Sequence, residues 1–288
     1  MIRSIFLVPL LFSVAVSGQS SSKAGNPTEA KTVKELVGDL KAREKTLKAA
    51  HVEMVTTGSY PGGRDFEVKG VMRVLKGTHI HTKTVASFGK EITTESEVIK
   101  TPDGVWTREK DPSHGEVYTH MKPDLMKRLE EASQKIGKEG QGLGQIASQA
   151  NDLLGSSMLE GLNGQFDLKV DRSMIEGRSY WSVKGPLRAA TSDGDQFGVP
   201  SADAVELLVR TRDLAVTRMV QFSKGKEFIR VEITRIELDG SMKPESFKID
   251  RPEGKPLIDI MDHAPAAAHI QNILAEAEGA KKDADKDR

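Results

Sequence analysis

The chain has 288 residues, 42 Lys and Arg against 42 Asp and Glu, 37% hydrophobic and 29% charged residues, and no cysteine. Zero formal charge leaves no basic footprint for nucleic acid, and the missing cysteines exclude a disulfide framework, thiolate metal sites and a lipid-bearing cysteine after a leader. A fold without covalent staples is held by its core alone, which favours one sizeable domain over small modules.

Residues 1–18 read as a secretory signal peptide: Arg3, an apolar run from Ile5 to Val16, then the small residues Ser17 and Gly18. The run is shorter than the roughly 20 residues of a membrane span and holds Pro9. Residues 19–27, rich in Ser, Gly, Asn and Pro, read as a flexible leader. From Thr28, Val33, Leu36, Val37, Leu40 and Leu47 recur along one stripe with charges opposite, predicting an amphipathic helix.

After His51 the period becomes two. In FEVKGVMRVL, Phe66, Val68, Met72 and Val74 fall on one face and Glu67, Lys69 and Arg73 on the other, the pattern of a strand wet on one side. THIHTKTV, EITTESEVIK, GVWTRE and EVYTHM continue it as an antiparallel meander. Between about 123 and 163 the strand signal gives way to a helical insertion. DLMKRLEEASQKI, a Gly-rich break and IASQANDLLGSSMLEGL follow one another, the last with Ile146, Leu153, Leu154, Met158 and Leu162 on its apolar side.

A second block of strands runs through QFDLKV, IEGRSYWSVKG, AVELLVRTR, LAVTRMVQFS, EFIRVEITRIEL and SFKI. In EFIRVEITRIEL the apolar phase shifts between Ile233 and Ile236, which predicts a bulge near Thr234 and Arg235. Asp193-Gly194, Gly225-Lys226 and Asp239-Gly240 read as hairpin turns. At residues 263–288, a short helix over Ala266 to Glu278 is expected to precede a charged, disordered tail. Strands that each carry one apolar face must close on something, either by rolling up or by taking helices across the mouth. The interior is then a filled core or a cavity.

The motifs LKAREKTLKAAHVEMVTTG, VIKTPDGVWTRE and the closing block LLVRTRDLAVTRMVQFSKGKEFIRVEITRIELDGSMKPESFKIDRPEGKPLID resemble, in order, the LolA-like family of periplasmic lipoprotein carriers. The resemblance covers about Val33 to Asp262. It implies a mainly β domain with helices over residues 28–262: an incomplete, strongly curved antiparallel β-barrel of about 11 strands with an N-terminal helix and a helical lid. Pro244, Phe247, Pro252 and Gly254 would close the last long strand, and Leu257 to Ile260 would add a short edge segment. The family's hydrophobic cavity shields lipoprotein acyl chains crossing the periplasm between an inner-membrane release complex and an outer-membrane acceptor. A monomer that binds lipid or lipoprotein, without cofactor or catalysis, is the corresponding expectation. Residues expected to line the cavity are Val68, Met72, Val74, Ile80, Ile92, Val98, Val216, Val220 and Ile233, with Leu153, Leu154, Met158 and Leu162 from the lid. Where the family places an Arg-Pro pair whose arginine holds the lid, this chain has Lys76-Gly77.

Other chemistry is sparse. His79 and His81 share a strand face that Glu91 or Glu95 would approach, but no third metal ligand is fixed, and the group reads as a solvated polar face. Ser156 and Ser157 lack a nucleophile-elbow setting, GKEGQGLG lacks the ending of a phosphate loop, and no catalytic order emerges. Trp106 and Trp181 read as core or rim aromatics. The second reading, of a different class, is an envelope regulatory or scaffold module with the same fold, a filled interior and a protein partner.

Overall fold

The computed structural model describes residues 31–60, 64–89, 92–113, 115–135, 153–188 and 202–286. Helix α1 (Val33–Thr46) starts at a capping box in which the Thr32 hydroxyl accepts from the Glu35 N–H and the Glu35 carboxylate accepts from the Thr32 N–H. Two of the helix's unpaired donors are met in this way. Its stripe Val33, Leu36, Val37 and Leu40 is buried, as the spacing predicts.

Six strands follow: β1 (Ala49–Tyr60), β2 (Arg64–Leu75), β3 (His79–Phe88), β4 (Ile92–Thr101), β5 (Gly104–Asp111) and β6 (Gly115–Met121). Helices α2 (Pro123–Lys135) and α3 (Ser156–Gln165) precede β7 (Lys169–Ile175), β8 (Arg178–Pro186), β9 (Ala204–Arg210), β10 (Val216–Ser223) and β11 (Lys226–Leu238). A two-residue strand β12 (Ile258–Asp259) and helix α4 (Ala264–Lys286) end the described chain. All twelve strands form one open, curved sheet in the order β12-β6-β5-β4-β3-β2-β1-β11-β10-β9-β8-β7. Every pairing is antiparallel except β12 with β6.

Several expectations need correction. Strand β11 is bulged where the apolar phase moves: Glu53 pairs with Arg235 and Met54 with Ile233, leaving Thr234 as the extra residue. That bulge restores Ile233 and Ile236 to one face, and the sequence predicts it correctly. SFKI, by contrast, forms no strand. Pro244–Ser246 is a single 3-10 turn, and the sheet receives only Ile258 and Asp259. The second insertion helix begins at Ser156, with Leu153 and Leu154 in the turn before it and Ile146 outside the described residues. Helix α4 runs on through Lys286 in place of the expected tail, carried by its Ala, Glu and Lys content. The turns at Glu176-Gly177 and Lys224-Gly225 have positive φ at both residues, as two-residue hairpins with the sheet's twist require. Asp239 makes no hairpin; its carboxylate instead accepts from the Lys48 N–H and pairs with Arg43, tying the end of β11 to the α1–β1 junction. The Asp193-Gly194 turn lies outside the described residues.

The two faces of the sheet differ in kind. On the outer face, Arg108 of β5 reaches Glu95, Glu97 and Glu116, while the His81 imidazole bonds Glu97 at 2.8 Å. The segment from β11 to β12 crosses on this side, where Phe247 is buried against the His79 ring at 5.1 Å and Lys255 lies 3.7 Å from Glu116. The His81 hydrogen bond, more than any other cause, holds the Glu97 carboxyl below its ordinary value of 4.5. A depressed carboxyl stabilises the fold above its unfolded pKa and loses that contribution as pH falls through the folded value. Stability to thermal unfolding should therefore fall below pH 4.5, and Glu97→Gln should cost about 1–3 kcal/mol at pH 7 and much less at pH 3. An equal cost at both pH values, read by calorimetry, would show that ionisation of the Glu97 carboxyl contributes nothing.

Candidate apolar binding face

The inner face is built by register. Cross-strand partners project to the same side of a sheet, so the pairings define rows. One runs Leu238, Ala50, Val74, Ile80, Lys100, Val105, Met121 and the next Ile236, Val52, Met72, Thr82, Val98, Thr107, Thr119. Further along come Ile233, Met54, Gly70, Thr84, Ser96, Glu109, Val117 and then Val231, Thr56, Val68, Ala86, Thr94. Beyond the bulge the same side continues through Met219, Leu207, Val183 and Val170. The charges of β1–β6 and β11 are almost all on the alternate positions.

Helices cover this face at two places. Helices α1 and α3, with Leu153 and Leu154, pack on Trp181, Val183, Leu207, Val209, Met219 and Val231 in the larger core. Helices α2 and α4 pack on Val105 and Met121 through Leu129 and Ile270, with Val98 at the margin. Between the two, Val52, Thr56 and Ala86 of the inner face are buried, but Met54, Phe66, Val68, Thr84, Phe88 and Ser96 are half-buried and Ile92 is 44% exposed.

Two glycines shape the floor of that gap. A Cβ on Gly58 would stand 2.6 Å from the Phe66 ring and 2.6 Å from the Phe228 carbonyl oxygen, and one on Gly70 would stand 3.0 Å from Met54 Cγ. Their missing side chains let Phe66 lie across β1 and Met54 across β2, flat against the backbone. The result is a smooth apolar surface at positions where β-branched residues would make ridges.

Of the residues expected to line a cavity, Val68, Met72, Val74, Ile80, Ile92, Val98 and Ile233 share this inner face. Val74 and Ile80 are fully packed under the helices, so they form floor and not opening. Val216 also lies inward, against the larger core. Val220 projects to the opposite face, paired with Glu206 and Arg230. A register shift between Val216 and Arg218 makes Met219 the inward residue, so simple alternation from Val216 misplaces Val220. Leu153, Leu154, Met158 and Leu162 are buried together in the larger core.

The residue that holds this lid is one that sequence reasoning assigned to the solvated side of α1. Glu44 is 6% exposed. Its carboxylate accepts from the backbone N–H groups of Leu154 at 2.9 Å and Ser156 at 3.3 Å and from the Ser156 hydroxyl. These donors sit at the amino end of α3, where helical N–H groups have no partner of their own and the helix dipole favours negative charge. Lys76, in the turn after β2, donates to the Glu44 carbonyl oxygen. A second link, Lys41 to Glu160 at 2.6 Å, is half exposed and worth less. Of the His79 and His81 group, His81 alone meets a carboxylate among the described residues, and it is Glu97, not Glu95; Glu91 lies outside the described residues.

No family model and no curated protein matches the sequence. Solved structures match at low identity. An uncharacterized conserved protein from Thermus thermophilus is 10% identical with a TM-score of 0.40, over 80% of this chain and 99% of that one. MucB is 12% identical with a TM-score of 0.40, over 79% of this chain and 65% of its own length. A LolA superfamily protein from Nitrosomonas europaea is 12% identical with a TM-score of 0.24, over 77% of this chain and 99% of that one. The layout of this chain is an open curved sheet with an N-terminal helix.

Replacing Glu44 by Ala strands three donors in a buried setting and should cost about 2–5 kcal/mol, whereas Glu44→Gln, which keeps an acceptor oxygen, should cost less than half of that. Lys41→Ala should cost under about 1 kcal/mol. Denaturant unfolding of the three variants checks the order; a Lys41 effect as large as that of Glu44 would place the latch elsewhere.

Proposed function

We propose that this chain is an exported lipid- or lipoprotein-binding protein that shields acyl chains on the inner face of its sheet, and that it works in the periplasm. The observation that carries the reading is the partition of the long central strands. Their outer positions hold paired charges, while their inner positions, between two pairs of helices, hold Met54, Phe66, Val68, Phe88 and Ile92 only partly covered. Each methylene withdrawn from water contributes about 0.8 kcal/mol, so an acyl chain lying there binds without specific polar contacts. The flat stretch over Gly58 and Gly70 gives such a chain room that side chains elsewhere would occupy. Carriage of lipoproteins between a membrane donor and a membrane acceptor is the finer form of this reading, and it follows from the resemblance noted in the sequence.

The test is a titration of the purified protein with a fluorescent acyl probe, with lipid extraction and mass spectrometry of the native material. Saturable uptake near one probe per chain is expected. Val68→Asp, on the inner face, should weaken it at least about 10-fold by placing a charge against the chain. Thr57→Asp, exposed on the outer face, should leave it unchanged. A folded protein with no bound lipid and no saturable uptake has a filled interior, and the protein-binding alternative takes its place.

A further inference from the structure

Resting on that acyl-chain reading, we propose that the inner face has a polar end built around Glu109, and that this end selects an amphiphile whose head donates hydrogen bonds and carries positive charge, such as an ammonium. The row that crosses the gap changes chemistry step by step: Ile233, Met54 and Gly70 on β11, β1 and β2, then Thr84 on β3, Ser96 on β4 and Glu109 on β5. From Met54 to Glu109 spans four strand steps, roughly 19 Å at about 4.8 Å per strand. An extended chain laid along this row has its tail over the glycine floor and its head beside the two hydroxyls and the carboxyl.

The charges around that end are asymmetric. Among the described side chains, the inner face of β1–β6 holds one cation, Lys100, and Glu130 of α2 binds it at 2.7 Å. Asp111 follows Glu109 on the same face of β5. The basic group acting on Glu109 is His263, at the turn into α4, and no described residue hydrogen-bonds the Glu109 carboxyl. Burial, the largest influence, pushes this carboxyl up, while His263 draws it down and Asp111 raises it. A half-buried carboxyl with no bonded partner among the described residues, at the edge of an apolar surface, is the kind of group that a ligand completes. An anionic head there would meet the Glu109 carboxyl, whereas an ammonium would supply its missing partner.

Displacement of a neutral fluorescent acyl ester from the full chain at pH 7 tests this with three amphiphiles of equal tail length: dodecylamine, dodecyl maltoside and dodecyl phosphate. Dodecylamine should displace the probe at a concentration roughly 10-fold or more below dodecyl phosphate, the order expected of one charge-assisted hydrogen bond against its repulsive counterpart, with the maltoside between. Glu109→Gln, close in shape, should bring amine and phosphate within about 3-fold, each measured against that variant's own affinity for the neutral ester. Glu67→Gln, which makes the same charge change on the outer face, should preserve the discrimination. Equal displacement by all three heads of the wild type, discrimination that survives Glu109→Gln, or its loss in Glu67→Gln overturns the polar end while leaving acyl binding intact. Absence of any probe uptake overturns both.

Discussion

Everything in this molecule depends on the alternation of β1–β4 and β11, strands of up to 13 residues that keep nearly all of their charges on one side. A single-residue slip in any of them would carry charges inward and apolar groups outward. The one place where the sequence breaks the alternation in β11, Thr234, is absorbed by a bulge, so Ile229, Val231, Ile233, Ile236 and Leu238 all project to the same side. The charged rows outside add specificity more than energy, since exposed ion pairs such as Arg235 with Glu237 contribute little. They set the register by making the inverted arrangement costly.

Given such a sheet, the helices have a defined task. Helix α3 is ten residues long, too short to be stable alone, and its own start at Gly155 provides no side-chain cap. Glu44 reaches this end from a different helix, so docking α1 beside it satisfies the Leu154 and Ser156 N–H groups. A buried carboxylate is a costly way to join two helices unless its acceptor capacity is filled, and here three donors fill it. An apolar residue at the same place would pack as well but would leave the Leu154 and Ser156 N–H groups stranded. The fold therefore places the attachment of one lid element on a hydrogen-bonded group backed by Lys76.

What the sequence made legible was whatever has a period. The stripe of α1, the two faces of β2 and the phase change in β11 each repeat a signal several times within one element. Val220, SFKI and Glu44 show where that reasoning ends. Val220 sits beyond a local irregularity in β10 that shifts the phase without a glycine or proline to mark it. SFKI has the alternation of a strand, but Pro244 and the chain's path across the outer face leave it no neighbouring edge. Glu44 lies among Lys and Arg residues of α1 and reads as one more solvated charge; its partners are over one hundred positions away in sequence. Glu109 was hidden for the same reason, because its meaning comes from the row of Thr84 and Ser96 that register places beside it.

Geometry also explains why the inner face is left partly open. The twelve described strands at about 4.8 Å spacing extend roughly 53 Å along the sheet, while the four described helices, about 10 Å across, would cover only some 40 Å even if laid side by side. They are not laid evenly: α1 pairs with α3 over β7–β11 and the ends of β1–β3 at Ala50, Val74 and Ile80, and α2 pairs with α4 over β5 and β6. Each pair buries its own apolar stripe against its partner as well as against the sheet, so neither can spread further along β2–β4 without exposing that stripe. The deficit falls on the central strands, which are also the ones that carry Phe66, Val68, Phe88 and Ile92 inward. An apolar surface that the protein's own helices are committed elsewhere from covering is stable in water only at a cost, and an acyl chain removes that cost without rearranging either helical pair.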